Sequence, residues 1–226
     1  MAITPSVLTS GVSGTDGTSV ATASVTPTDG RLAVALICGT QTPPATPTCS
    51  GNGQTWANFE TINWATGASP TRSLTAFSAF VTGAATGTIT FDFGAGTQTS
   101  FAWIVIEFDG ALDIVQSTSK AGTNSSMSNT LVAFNSAADN MAVGVVANVS
   151  DASPVTPGSA FLELTEVNNA ADPVISFQVE YAQGEQTTVD HSWTTSRQFG
   201  SIAFEVGRQI YGHKVGLGST SWSLLK

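Results

Sequence analysis

The chain carries two histidines. His191 directly follows Asp190. A Ser/His/Asp site needs a histidine oriented by a carboxylate and close to a nucleophile. Adjacent residues of a strand point to opposite faces, so Asp190 is badly placed to orient His191. No G-x-S-x-G turn is present. We therefore expect Asp190-His191 to be a polar pair on a strand surface. His213 lies in a Gly-containing tail. Glu107 and Glu205 occupy matching places in two similar runs, and a carboxylate pair is what glycoside hydrolysis requires. Their simpler reading is two outward polar residues near strand ends. P-loop, dinucleotide-binding, EF-hand and zinc-site spacings are all missing from the sequence. No catalytic, cofactor-binding or metal-ligating residue is assigned, no cofactor is expected, and the chain is not expected to be an enzyme.

The two cysteines leave two readings open. Cys38 ends an apolar run and Cys49 follows a Pro-rich loop, so a disulfide could close that loop. The alternative is a buried free Cys38 with a loop Cys49, which synthesis in a reducing compartment favours. Sugar-binding sandwiches stack sugars on exposed aromatic rings. Trp56 and Trp64 bracket a short polar stretch and are the candidate glycan contacts, with Trp64 the better candidate for an exposed ring.

Positioning such groups falls to β-structure. Charged residues make up only 10% of the 226 residues, against roughly 25% in an ordinary domain. Thr, Ser, Ala and Gly take their place. The net charge is −9, which opposes a nucleic-acid partner, because phosphate contacts need clustered Lys and Arg. It also opposes an anionic membrane surface. The N-terminus has no basic or apolar leader pattern, and no apolar run nears the ~20 residues of a membrane span. We expect synthesis in a cytoplasm.

No stretch sustains a helical period. Short β-branched or aromatic runs, broken by Gly, Pro, Asn and Asp, predict strands over 19–26, 31–38, 73–81, 87–93, 101–109, 130–134, 141–147, 161–167, 174–181, 186–193 and 199–206. The runs recur as an ordered set. Leu32-Ala33-Val34-Ala35 matches Met141-Ala142-Val143-Gly144. Ala76–Phe80 matches Ser176–Glu180, and Phe101–Phe108 matches Phe199–Val206. The expected architecture is an all-β, antiparallel two-sheet sandwich of two related halves, 19–110 and 130–206. Arms are expected at 1–18 and 207–226, with a polar link between the halves.

Period-2 alternation assigns faces. Ile175, Phe177, Val179 and Tyr181 share a core side, as do Ala102, Ile104, Ile106 and Phe108. The other face of 101–109 carries Phe101, Trp103 and Val105, a large apolar set. Apolar outer patches mark interfaces, so these three are candidate partner contacts. Trp222, Leu224 and Leu225 join them, because an apolar, basic tail suits docking on a neighbour.

Thr28-Asp29-Gly30-x-Leu32-Ala33-Val34-Ala35, then Gly53-Gln54-Thr55-Trp56, then Ile104–Gly110, repeated more weakly, resembles jelly-roll-type β-sandwich proteins of tailed-phage virions and of some bacterial surfaces. The likeness covers about residues 18–206 and rests on pattern. It implies a jelly-roll-like sandwich with a decoration, head-fibre or tail accessory role in the virion. It also implies docking on other virion proteins as a homo-oligomer or lattice. A carbohydrate-binding module or lectin-like adhesin for a host glycan is the alternative, with a glycoside-active enzyme third.

Overall fold

The computed structural model describes residues 2–40, 45–64, 71–134, 139–149, 154–170 and 174–208. The strands are β1 (Thr4–Ser13), β2 (Ser19–Ala21), β3 (Leu32–Thr40), β4 (Thr48–Gly51), β5 (Ala57–Trp64), β6 (Arg72–Phe80) and β7 (Ile89–Asp92). They continue with β8 (Phe101–Asp109), β9 (Ala111–Thr130), β10 (Met141–Asn148), β11 (Thr156–Pro157), β12 (Leu162–Asn169), β13 (Ile175–Gln183) and β14 (Thr188–Arg208). No helix occurs among the described residues.

All pairings are antiparallel. Sheet 1 has the order β1-β8-β3-β6-β5. Sheet 2 has the order β11-β14-β10-β13-β12, with β9 also on β14. Sheet 1 is drawn from residues 4–109 and sheet 2 from residues 111–208. A small third sheet, β2-β7-β4, completes the fold.

The core lies between sheets 1 and 2. Leu36, Ile104 and Ile106 from sheet 1 meet Val145, Phe177 and Phe204 from sheet 2, all fully buried. The Phe59 ring meets Phe204 edge-on, 5.3 Å between centroids. The sides of this pair of sheets are also closed. β1 lies against β12 and β5 against β9. Asn169 of β12 donates to the Ser13 carbonyl and to Ser100 Oγ, and Ser117 and Ser119 of β9 donate to the Glu60 carboxylate of β5. Covered edges deny a foreign strand its template.

Both outer faces are roofed as well. β7 and the residue after it place Ile89, Phe91 and Phe93 over Ala35, Ile37 and Val105 of sheet 1. A turn at Asn52, with φ +55°, fastens this roof: its Nδ2 donates to the carbonyls of Val25, Ala85 and Gly87. Asn tolerates that left-handed backbone better than most residues. Over sheet 2, β14 and β9 run on past a break in register between Ser192 and Arg197. Their far ends supply Val189, Met127 and Trp193 to the apolar clusters above Ala142, Val146 and Ala203.

Three expectations change here. Thr4–Ser13 is an edge strand of sheet 1 rather than an arm. Ala111–Thr130 is one long strand rather than a polar link. Residues 131–134 are not strand, since the ladder ends at Thr130 paired with Thr188. β1 and β9 are rich in Ser, Thr and Gly and mostly half-exposed, and β4, β5 and β11 likewise fall outside the expected strands. A side strand with one wet face needs no apolar run.

Candidate functional site

Two concavities stand out. The first is a cleft of about 510 Å³ lined by Lys120, Ser126, Met127, Ser159, Asp190 and His191 among others. β14 and β9 hold His191 opposite Met127. His191 Nδ1 lies 3.2 Å from Met127 Sδ and 3.7 Å from Glu180 Oε1. Glu180 sits on β13 opposite Gly144, and its other oxygen accepts the Gly158 N–H at 2.9 Å. Both His191 and Glu180 are buried, at 1% and 0% exposure. The expected surface pair is thus corrected: only Asp190 faces solvent, and β14 folds back over sheet 2 so that His191 points inward.

Burial pushes the Glu180 carboxyl up to about 8, with Asp190 adding repulsion and the Gly158 N–H opposing. Burial alone pushes His191 down to about 3. Each ring and carboxyl is therefore neutral near pH 7, because removing water penalises a charged form. The two neutral groups pack together under the roof, with Glu180 Oε1 and His191 Nε2 buried and without a hydrogen-bond partner among the described residues. No hydroxyl is within bonding reach of the imidazole among the described contacts. No group of three His, Cys, Asp or Glu that could hold a metal occurs among the described residues.

Glu107 and Glu205 are nearly buried, at 5% and 1%, not outward as the sequence suggested. Each clamps the segment that enters a central strand. Glu107 accepts from the Thr28 N–H at 3.0 Å and from Arg31 at 2.6 Å, and Arg31 also pairs with Asp109 at 3.0 Å. Glu205 accepts from Asn140 Nδ2 and from Gln116 Nε2 at 2.6 Å. Each carboxylate is saturated by its own clamp, so they do not act as a pair across one bond.

The second concavity is an apolar groove of about 490 Å³ between β9 and the start of β3, β5 and the end of β6. Phe59, Phe80, Leu112, Ile114 and Val115 supply its apolar wall, with Asp113 beside them. Phe80 is 37% exposed, and Leu112 and Val115 are 45% each. The ladder explains the exposure. Glu205 pairs with Gln116 and Val206 with Ile114, which skips Val115. Gly207 pairs with Asp113 and Arg208 with Ala111, which skips Leu112. Both skipped residues are bulges, and a bulge re-aims a side chain out of its alternation.

The predicted contacts fall elsewhere. Phe101, Trp103 and Val105 are buried, at 1%, 9% and 0%, beneath the third sheet and β1, so they are no partner surface. Trp64 is 2% exposed in the main core against Gly200. It offers no ring to a sugar. Trp56 is half-buried, and its indole N–H donates to the Gly51 carbonyl at 3.3 Å. Trp222, Leu224 and Leu225 lie outside the described residues. Both cysteines are free. Cys38 faces the main core and Cys49 the roof, on opposite sides of sheet 1.

No family model, curated protein or solved structure matches the chain.

The groove residues were missed because Ala111-Leu112-Asp113-Ile114-Val115 breaks both the strand and the helix period. Apolar doublets around one acid were the available signal for bulges.

Proposed function

We propose that this chain is a structural component of a phage virion, a capsid-decorating or head/tail accessory protein that docks on other virion proteins. The observation that carries the reading is the exposed apolar groove on a body whose two main sheets have covered sides. Phe80, Leu112 and Val115 gain by leaving water, at about 25 cal/mol per Å² of apolar surface covered. The titratable groups support the same reading, since Glu107 and Glu205 hold strand entries and His191 with Glu180 fills a roof. A hydroxyl-rich, weakly charged surface and the resemblance of residues 18–206 to virion sandwiches agree with it.

We read the two sheets as products of one duplicated unit. In support, β1-β8-β3-β6-β5 and β9-β14-β10-β13-β12 follow the same order along the chain. β5 and β12 share one burial sequence, and so do β6 and β13. On this register Phe77 corresponds to Glu180 and not to Phe177, the partner expected from the sequence, and each lies opposite a small residue, Ala35 or Gly144. The jelly-roll likeness is kept at the level of two facing sheets, since each sheet comes from one half of the chain. The carbohydrate reading loses its Trp64 platform, and the lining of the polar cleft contains no Trp, Tyr or Phe.

The test is sedimentation of particles assembled with the tagged chain. The chain is expected to travel with particles, and Phe80→Asp with Leu112→Asp to leave it at the top of the gradient. Particles that never carry the intact chain would refute the proposal.

A further inference from the structure

We infer that the groove receives the C-terminal segment, residues 209–226, of a second copy of this chain. The inference takes up the same docking groove and gives it one occupant, a second copy, so that other virion proteins meet the assembled copies. The wall is apolar with one acid, Asp113. The segment offers Ile210, Tyr211, Val215, Leu217, Trp222, Leu224 and Leu225 with Lys214 and Lys226, and it has no acid. Since the whole chain is −9, the segment carries +2 and the rest −11. Apolar and electrostatic complementarity therefore point the same way.

Direction decides between self and neighbour. β14 runs antiparallel to β9, passing Gln116, Ile114 and Asp113 in turn and reaching Ala111 at Arg208. β14 thus ends beyond the groove, at Arg208 opposite Ala111, and points away from it there. Entering its own groove requires an immediate reversal. Entering a neighbour's does not. Reach agrees: Trp222 is 14 residues past Arg208, so an extended chain carries it roughly 45 Å outward. The six groove residues Leu112–Ser117 span only about 20 Å at strand rise. Trp222 and Leu224 then share one face of an extended segment. Such exchange closes a ring or runs open as a chain, depending on the rotation between copies.

The experiment is light scattering after size exclusion, on the full chain from about 1 to 100 µM, beside Leu112→Asp/Val115→Asp and a form ending at Arg208. Both substituted positions are already half-wet, and circular dichroism confirms that the strands persist. The full chain is expected to be oligomeric and both variants monomeric. A labelled peptide of residues 209–226 should bind the shortened form and lose at least tenfold affinity for it when Val115→Asp is added. Three results overturn the inference. One is an oligomer that survives the deletion. Another is a monomeric full chain whose shortened form binds the peptide, which makes the chain's own segment the occupant. The last is a shortened form that binds no peptide. Failure to travel with particles would sink the virion reading and leave this result untouched.

Discussion

Glu180 and His191 face each other 3.7 Å apart inside the roof of sheet 2, and burial keeps both uncharged. Gly144 makes the room: a Cβ there would stand 2.7 Å from Glu180 Oε1 and 2.8 Å from His191 Cε1. The pair fills the space above Gly144 with polar atoms.

Stability should therefore depend on pH in a specific way. The folded Glu180 holds its proton up to about 8 against 4.5 unfolded, so stability falls as pH rises through that window. The folded His191 refuses a proton down to about 3 against 6.5 unfolded, so stability falls as pH drops from 6.5. Each slope is at most about 1.4 kcal/mol per pH unit. Between pH 4.5 and 6.5 they oppose and nearly cancel. Urea unfolding from pH 3 to 9 should show a plateau there, falling on both sides. Glu180→Gln should flatten the alkaline limb and turn the plateau into a continuous fall from pH 6.5 downward, because the His191 slope is then unopposed. An alkaline limb unchanged by that substitution would contradict the assignment.

Gly144→Ala should destabilise by about 1–3 kcal/mol, the usual cost of overpacking a filled interior. The new methyl meets Val189 Cγ1 as well as the two polar groups. Its φ is not in the left-handed region, so the loss reports packing and not backbone strain. The midpoint of urea unfolding measures it. A change below half a kilocalorie would mean that the roof is loose above Gly144.

The central strands were legible because they are apolar on both faces or alternate cleanly. Leu32–Thr40 and Met141–Asn148 are buried throughout. Ile175, Phe177 and Val179 fall on the main core as alternation requires. What failed was partner assignment. Alternation shows that Trp103 leaves the core side, but a remote strand, β7, decides whether water waits there. His191 was read as wet for the same reason: the fold-back of β14 is a tertiary event. Leu112 and Val115 were invisible because a bulge shifts register without changing composition. Polar β1 and β9 draw their stability from pairing with β8 and β14, not from their own pattern.

Both thiols should resist labelling in the folded protein. Burial lifts Cys38 to about 12, with Arg72 opposing slightly, and lifts Cys49 to about 12. The nucleophile is the thiolate, so at pH 8 little is present. A chromogenic disulfide reagent should react with neither on the minute scale and with both in denaturant. Rapid native labelling of Cys49 would mean that the β4 roof opens.

Trp103→Glu separates an interior position from a partner surface. The Trp103 ring lies against Gly11 of β1, and Phe101 and Val105 continue the same buried face. Truncating a buried aromatic costs about 3–5 kcal/mol, and placing a carboxylate there adds a desolvation cost unless the group stays protonated. The whole stability of a domain is only about 5–15 kcal/mol, so this variant should unfold at room temperature or precipitate. Leu112→Asp, at 45% exposure, should shift the unfolding midpoint by less than about 1 kcal/mol, as surface substitutions do. Thermal unfolding of the two variants side by side gives the answer. A stable Trp103→Glu would place water on that face and reopen it as an interface, while an unfolded Leu112→Asp would remove the bulged groove as a surface.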